Sequence, residues 1–142
     1  MNRYVVGYAF EGERCLLVKK SKPEWQKGLL NGVGGKIDEN EAPISAMVRE
    51  FKEETTIDTR LMDWKNYCTI KNDFFEIFYF RIDLNLGVID GAVNPEDKGE
   101  ELIIIESNSN LFRYRLVPNV SWTMLMAKDS TVDSSMVNIL NF

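Results

Sequence analysis

Glu50, Glu53 and Glu54 stand in the run Arg49-Glu50-Phe51-Lys52-Glu53-Glu54-Thr55-Thr56-Ile57. On a helix turning 100° per residue, positions i, i+3 and i+4 fall within an arc of about 100°, so three carboxylates share one patch beside the apolar stripe. Like charges at that spacing destabilise an isolated helix by roughly 0.2–0.5 kcal/mol per pair, and a purely structural helix gains nothing from them. A hard divalent cation removes the repulsion, because Mg²⁺ takes oxygen ligands and binds together with substrate phosphates. The plainer reading of a bare Glu-x-x-Glu-Glu is a solvated acidic face with Arg49 as an ion-pair partner, since charged helix faces are routine.

The 142 residues contain no histidine. His-based triads, imidazole general bases and His-ligated zinc sites are thereby excluded, and chemistry rests on carboxylates. With 17 Lys and Arg against 22 Asp and Glu the net charge is −5, a field that repels nucleic-acid backbones and anionic membranes. A phosphate-bearing ligand then needs a local basic patch or a bridging cation. At 44% hydrophobic and 27% charged residues the composition is that of one globular domain over residues 1–142. Cys15 and Cys68 lack paired spacing and sit in apolar, strand-like runs, which predicts free buried thiols in a reducing compartment. No apolar run reaches 18 residues and no signal segment is evident, so the expectation is a cytoplasmic protein with no membrane and no stable nucleic-acid partner, monomeric or homodimeric.

Several elements must position the acidic patch. Tyr4 to Phe10 and Cys15 to Lys20 read as an antiparallel pair joined through Gly12. Ser21 to Asn31 reads as a loop, and three glycines within Gly32-Val33-Gly34-Gly35 imply close backbone approach. Pro43 to Glu54 reads as a helix whose apolar stripe, Ile44, Met47, Val48 and Phe51, packs on a sheet. Trp64 to Ile70 and Phe74 to Leu84 read as strands about a turn at Lys71-Asn72-Asp73, Leu86 to Gly99 as a surface loop, and Leu102 to Ile105 as a short strand. Val120 to Lys128 reads as a second helix behind Pro118 and Asn119, and no element is assigned after Asp129.

The full spacing is more specific than the acidic patch. Gly35, five residues, Glu41, seven residues, then Arg49-Glu50-Phe51, Glu53-Glu54 and Ile57 resemble the 23-residue box of the Nudix hydrolases over residues 35–57. Such a coincidence would arise in a chain this long with a probability on the order of one in a million from average residue frequencies. Thr56 stands where the family has glycine, at a helix end that calls for a left-handed cap, so the threonine is expected to be strained. The resemblance implies an α/β fold with a mixed sheet sandwiched between helices (α/β/α). It implies Mg²⁺ or Mn²⁺ held by the Gly35 carbonyl with Glu50, Glu53 and Glu54, and hydrolysis of a nucleoside diphosphate linked to a further group. In it Arg49 orients a box glutamate, and Glu41 fixes the turn of the loop.

A proton acceptor must be a carboxylate or a metal-bound hydroxide. Family members use a box glutamate, which makes Glu50 and Glu53 candidates, or an acidic residue on a later loop. The later candidates are Glu96, Asp97, Glu100 and Glu101, with Glu100 or Glu101 preferred. Lys19 and Lys20 stand where the family often has a basic residue on the substrate phosphates. Lys71 to Phe75 lacks the proline of the family's ADP-ribose and NADH hydrolases, and Phe74 and Phe75 stand where its diadenosine polyphosphate hydrolases tend to have a tyrosine. Leu30 to Ile37 and Pro118-Asn119-Val120 resemble MutT-like enzymes, in which asparagines at the places of Asn31 and Asn119 read a purine edge. Local propensity equally allows both to be turn or cap residues. The expected substrate is therefore a nucleoside triphosphate, oxidised purine triphosphates included, and the alternatives are ADP-ribose, a nucleotide sugar, a dinucleoside polyphosphate, or binding without turnover.

Overall fold

Alternation along the first two strands divides the core. In the computed structural model, which describes residues 1–95, 100–129 and 137–140, β1 (Asn2–Glu11) and β2 (Arg14–Lys19) turn about Gly12, whose φ of 58° suits the tight connection. Val5, Ala9, Leu16 and Val18 face one side, and Tyr8, Phe10, Cys15 and Leu17 face the other. Among the described residues the sheet is completed by β3 (Leu30–Asn31), β4 (Val33–Lys36), β5 (Lys65–Lys71), β6 (Phe75–Asp83), β7 (Glu101–Glu106) and β8 (Val137–Leu140). The sheet is mixed: β6 runs parallel to β1 and β8 parallel to β5, whereas β2 with β7, β1 with β4 and β5 with β6 are antiparallel.

One helix covers each face. Helix α1 (Pro43–Thr55) starts on Pro43, whose missing N–H costs nothing in the first turn. It buries Ala46, Met47 and Phe51 against Val5, Val33 and Trp64. Helix α2 (Val120–Lys128) buries Val120, Met124 and Ala127 against Tyr8, Tyr67 and Tyr79. This is the α/β/α sandwich expected from the sequence. None of the described helices is long and apolar enough to cross a membrane.

The site owes its position to a parting of β1 and β2. They pair only near the turn, from Glu11 with Arg14 to Ala9 with Leu16. Beyond that, β2 turns to β3 through Val18 and Asn31, and the other half of β1 turns to β4 through Gly7 with Val33 and Tyr4 with Lys36. Leu30 to Lys36 is thus wedged into a split in the sheet.

Several boundaries differ from the sequence expectations. Leu30 and Asn31 form a strand rather than the end of a loop, since their partners on β2 lie far off in sequence. Trp64 and Phe74 lie just outside the strands read for them. Trp64 ends a short 3₁₀ turn, and Phe74 sits in a turn where Asn72 Oδ1 accepts from the backbone of Phe74 and Phe75. Within the loop after Leu86, Ile89 is buried in another 3₁₀ turn. Strand β8 has no local signal in the sequence. Cys15 and Cys68 are free and buried as expected, and burial raises both thiol pKa values, that of Cys68 to about 11.

Candidate active site

Three glycines let the wedge approach its neighbours. A Cβ on Gly34 would lie 1.9 Å from the Val5 carbonyl oxygen, so only glycine permits this pairing with β1. A Cβ on Gly35 would lie 2.5 Å from the carboxyl carbon of Glu50, so the strand presses directly on the first box glutamate. A Cβ on Gly32 would likewise lie 2.8 Å from the Gly7 carbonyl oxygen, so close approach accounts for all three glycines read in the sequence.

Arg49 organises the acidic groups. Its Nε and one terminal nitrogen donate to both oxygens of Glu41 at 2.8 Å, and Glu41 also accepts from the Asp38 amide at 3.0 Å. The terminal nitrogen on Glu41 also donates to the Lys36 carbonyl at 3.1 Å, and the other terminal nitrogen donates to Glu50 at 2.8 Å and to Glu53 at 3.3 Å. Planarity suits the guanidinium to this fork, which a lysine could not reproduce. Arg49 lowers the Glu41 pKa. Burial raises that of Glu50, partly countered by Arg49. The Glu50 side chain is 13% exposed and that of Glu53 51% exposed, and Glu54 is half-buried.

The donor chemistry fits a hard divalent cation: three carboxylates lie on one stretch of α1, and a backbone strand abuts the innermost of them. Among the described residues no three acidic side chains are gathered tightly enough to hold a metal as they stand. Glu50 and Glu53 are both drawn to Arg49, which supplies the positive charge between them.

Beside the glycine strand lies a cavity of about 470 Å³ whose wall includes Gly35, Lys36, Lys20, Asn31 and Asn119. Asn119 arrives there because the Leu30 amide donates to Arg115 and its carbonyl accepts from Val117, both at 2.8 Å, tying the approach to α2 onto β3. Trp25, 63% exposed, stands at the rim, while Phe75, Ile77 and Tyr79 belong to the wall. No aspartate or glutamate lines the cavity among the described residues.

Not every residue singled out in the sequence meets there. Lys19 pairs with Glu101 at 3.6 Å, both well exposed and neither on the cavity wall. Lys20 pairs with Glu100 at 3.4 Å, and Glu100 Oε2 is buried without a hydrogen bond among the described residues. Glu96 and Asp97 lie outside the described residues. Sequence reasoning missed Lys36 and Trp122. The first follows Gly35 directly, and the second follows Asn119 by three residues, a helical spacing that places its indole Nε1 3.1 Å from the asparagine oxygen.

The comparisons agree on the fold. The chain matches MutT from Bacillus halodurans with a TM-score of 0.70 at 16% identity, covering 99% of this chain and 90% of that one. A MutT structure from a study of Aliivibrio salmonicida and Vibrio cholerae gives 0.68 at 17%, covering 90% and 97%. The NUDIX domain of Shewanella oneidensis NrtR, complexed with ADP ribose, gives 0.68 at 16%, covering 89% and 85%. No curated protein matches the sequence. The family model for the NUDIX domain matches residues 1–113, and the spacing from Gly35 to Ile57 lies wholly within that span. The chain belongs to the Nudix hydrolase family, whose members hydrolyse phosphoric anhydrides in nucleotides.

Proposed function

We propose that this protein is a Mg²⁺- or Mn²⁺-dependent hydrolase of nucleoside triphosphates that releases a nucleoside monophosphate and pyrophosphate. The observation that carries the reading is the cavity where the glycine strand meets Lys20, Asn31 and Asn119. In a protein of net charge −5 its wall holds, among the described residues, two lysines and no carboxylate, which suits a polyanion with a neutral, hydrogen-bonding end. The structural likeness to two MutT proteins supports a nucleotide of this class.

Gly35, Glu50, Glu53 and Glu54 would hold the cation, which when bound polarises phosphoryl oxygens and lowers the pKa of water. Arg49 and Glu41 keep the box carboxylates in place. Lys20 neutralises phosphate charge, and its pairing with Glu100 sets a carboxylate beside the phosphates. In this reading Glu100, rather than the exposed Glu101, takes the proton from the attacking water as a P–O bond of the anhydride breaks and pyrophosphate departs. Asn31 and Asn119 hold the base.

One panel tests it. Nucleoside triphosphates, ADP-ribose and a dinucleoside polyphosphate are assayed for phosphate and pyrophosphate release with and without Mg²⁺. Pyrophosphate and monophosphate from a triphosphate, lost with chelator, is the expected result. Hydrolysis of ADP-ribose with triphosphates inert would overturn the reading. Glu100→Gln is expected to lower kcat by about 10²–10⁴ with little change in KM, and an equal loss in Glu101→Gln would remove Glu100 from the role.

A further inference from the structure

Asn31 and Asn119 commit their amide oxygens to the protein. Asn31 Oδ1 accepts from the Gly32 backbone N–H at 2.8 Å, and Asn119 Oδ1 accepts from Trp122 Nε1 at 3.1 Å. A backbone amide and an indole N–H can only donate. The oxygen of each asparagine must face them, which settles the two-way choice that an asparagine amide otherwise leaves open. Each side chain is left with its NH₂ group for whatever enters the cavity, since neither nitrogen donates to a partner among the described residues.

Asn119 shows how deliberate the geometry is. It precedes α2 in a left-handed conformation, with φ of 81°, which asparagine tolerates better than most residues. A side chain at this place ordinarily accepts from the helix backbone; here it makes no such bond and turns to the Trp122 indole instead. Its carbonyl is held independently by the amide and hydroxyl of buried Thr123. Backbone and side chain are therefore fixed by separate contacts, and Trp122 is not on the cavity wall.

Resting on the nucleotide reading above, we propose that Trp122 and the Gly32 amide are orientation locks. They hold Asn119 and Asn31 with hydrogen-bond donors toward the base, so that the cavity selects an edge of acceptors: a keto base such as guanine, hypoxanthine or uracil over an amino base such as adenine or cytosine. An amino group facing a fixed donor loses its own partner and leaves that donor unpaired. Among the described residues no carboxylate lines the cavity to accept from an exocyclic amine instead. The third amide on the wall, Gln26, has no side-chain hydrogen bond among the described residues and can turn either way, so it adds affinity without choosing an edge.

The test compares GTP, ITP and ATP by kcat/KM, and GMP, IMP and AMP by calorimetric binding, in wild type, Trp122→Phe, Asn119→Asp and Asn31→Asp. Wild type is expected to favour GTP and ITP over ATP by about tenfold or more. Inosine separates the 6-keto group from the 2-amino group. Trp122→Phe frees the Asn119 amide to rotate, so the ITP to ATP ratio falls toward one through KM rather than kcat. Each Asp variant keeps an acceptor for the locking N–H but offers oxygen to the base, so the ratio falls or inverts. The added charge burdens every nucleotide alike and cancels in the ratio. A wild type that handles ATP as well as ITP, or a ratio unchanged in all three variants, overturns the locks. If no triphosphate is hydrolysed while IMP still binds more tightly than AMP, the proposed activity fails and the locks stand; hydrolysis without base preference is the converse.

Discussion

At the scale of single residues, Arg49 and the carboxylates around it obey opposing electrostatics. Glu41 receives both arms of the guanidinium fork, so its folded-state pKa lies below the ordinary value of 4.5. A group so depressed stabilises the fold fully above its unfolded pKa and loses that contribution as pH falls through the folded value. Glu41→Gln is therefore expected to destabilise by about 1–2 kcal/mol near neutrality. The gap to wild type should close as pH falls through that lowered folded-state value, as urea unfolding at neutral and acidic pH will show. Glu50 pulls the other way. Burial, its largest influence, raises its pKa, so its ionised form is held at a cost that Arg49 only partly offsets. The Glu53 side chain, also on Arg49, is the more exposed of the two. Glu53→Gln and Glu54→Gln are expected to cut turnover by about 10²–10⁴ with thermal stability kept or raised, because a like-charge pair on α1 is relieved. Wild-type rates in either variant, or activity in excess chelator, would remove the carboxylates from the chemistry. The carboxylates and Arg49 were legible because a 3.6-residue period fixes which of them share a face. The partners of Asn31 and Asn119 were not, since amide orientation depends on which donors the fold delivers.

At the scale of elements, the exit of α1 shows what a departure from the family pattern does physically. Thr56 adopts φ of 65° and caps the helix through its amide to the Lys52 carbonyl. This is the strain that the missing glycine predicts. Two local contacts lessen its effect: Lys52 Nζ donates to the Thr56 carbonyl at 3.2 Å, and Thr55 Oγ1 accepts from the Ile57 amide at 3.2 Å. Thr56→Gly is expected to stabilise by about 1 kcal/mol, raising Tm by roughly 3–5 °C without changing kcat. A lower Tm would mean that the threonine side chain contributes more than its backbone costs. The helices and the long strands were readable because their burial patterns repeat along the chain. Strand β3 is two residues long and β8 four, and both exist through pairing with distant β2 and β5. No window of sequence carries that information.

At the scale of the whole molecule, the parting of β1 and β2 sets a distance. Asn31, assigned to the base, and Gly35, assigned to the cation, belong to one extended segment pinned on one side by β2 and on the other by β1. Four residues of extended chain span at most about 14 Å. On the proposed assignment, one segment with both of its sides paired in the sheet reaches base and anhydride together. By that assignment this segment is a fixed gauge for the substrate, measured in peptide units. A nucleotide whose anhydride lies one phosphate nearer or farther from its base must give up one end to satisfy the other. One residue inserted between Asn31 and Gly35 would turn every following side chain to the opposite face, and no compensating movement elsewhere would restore the span.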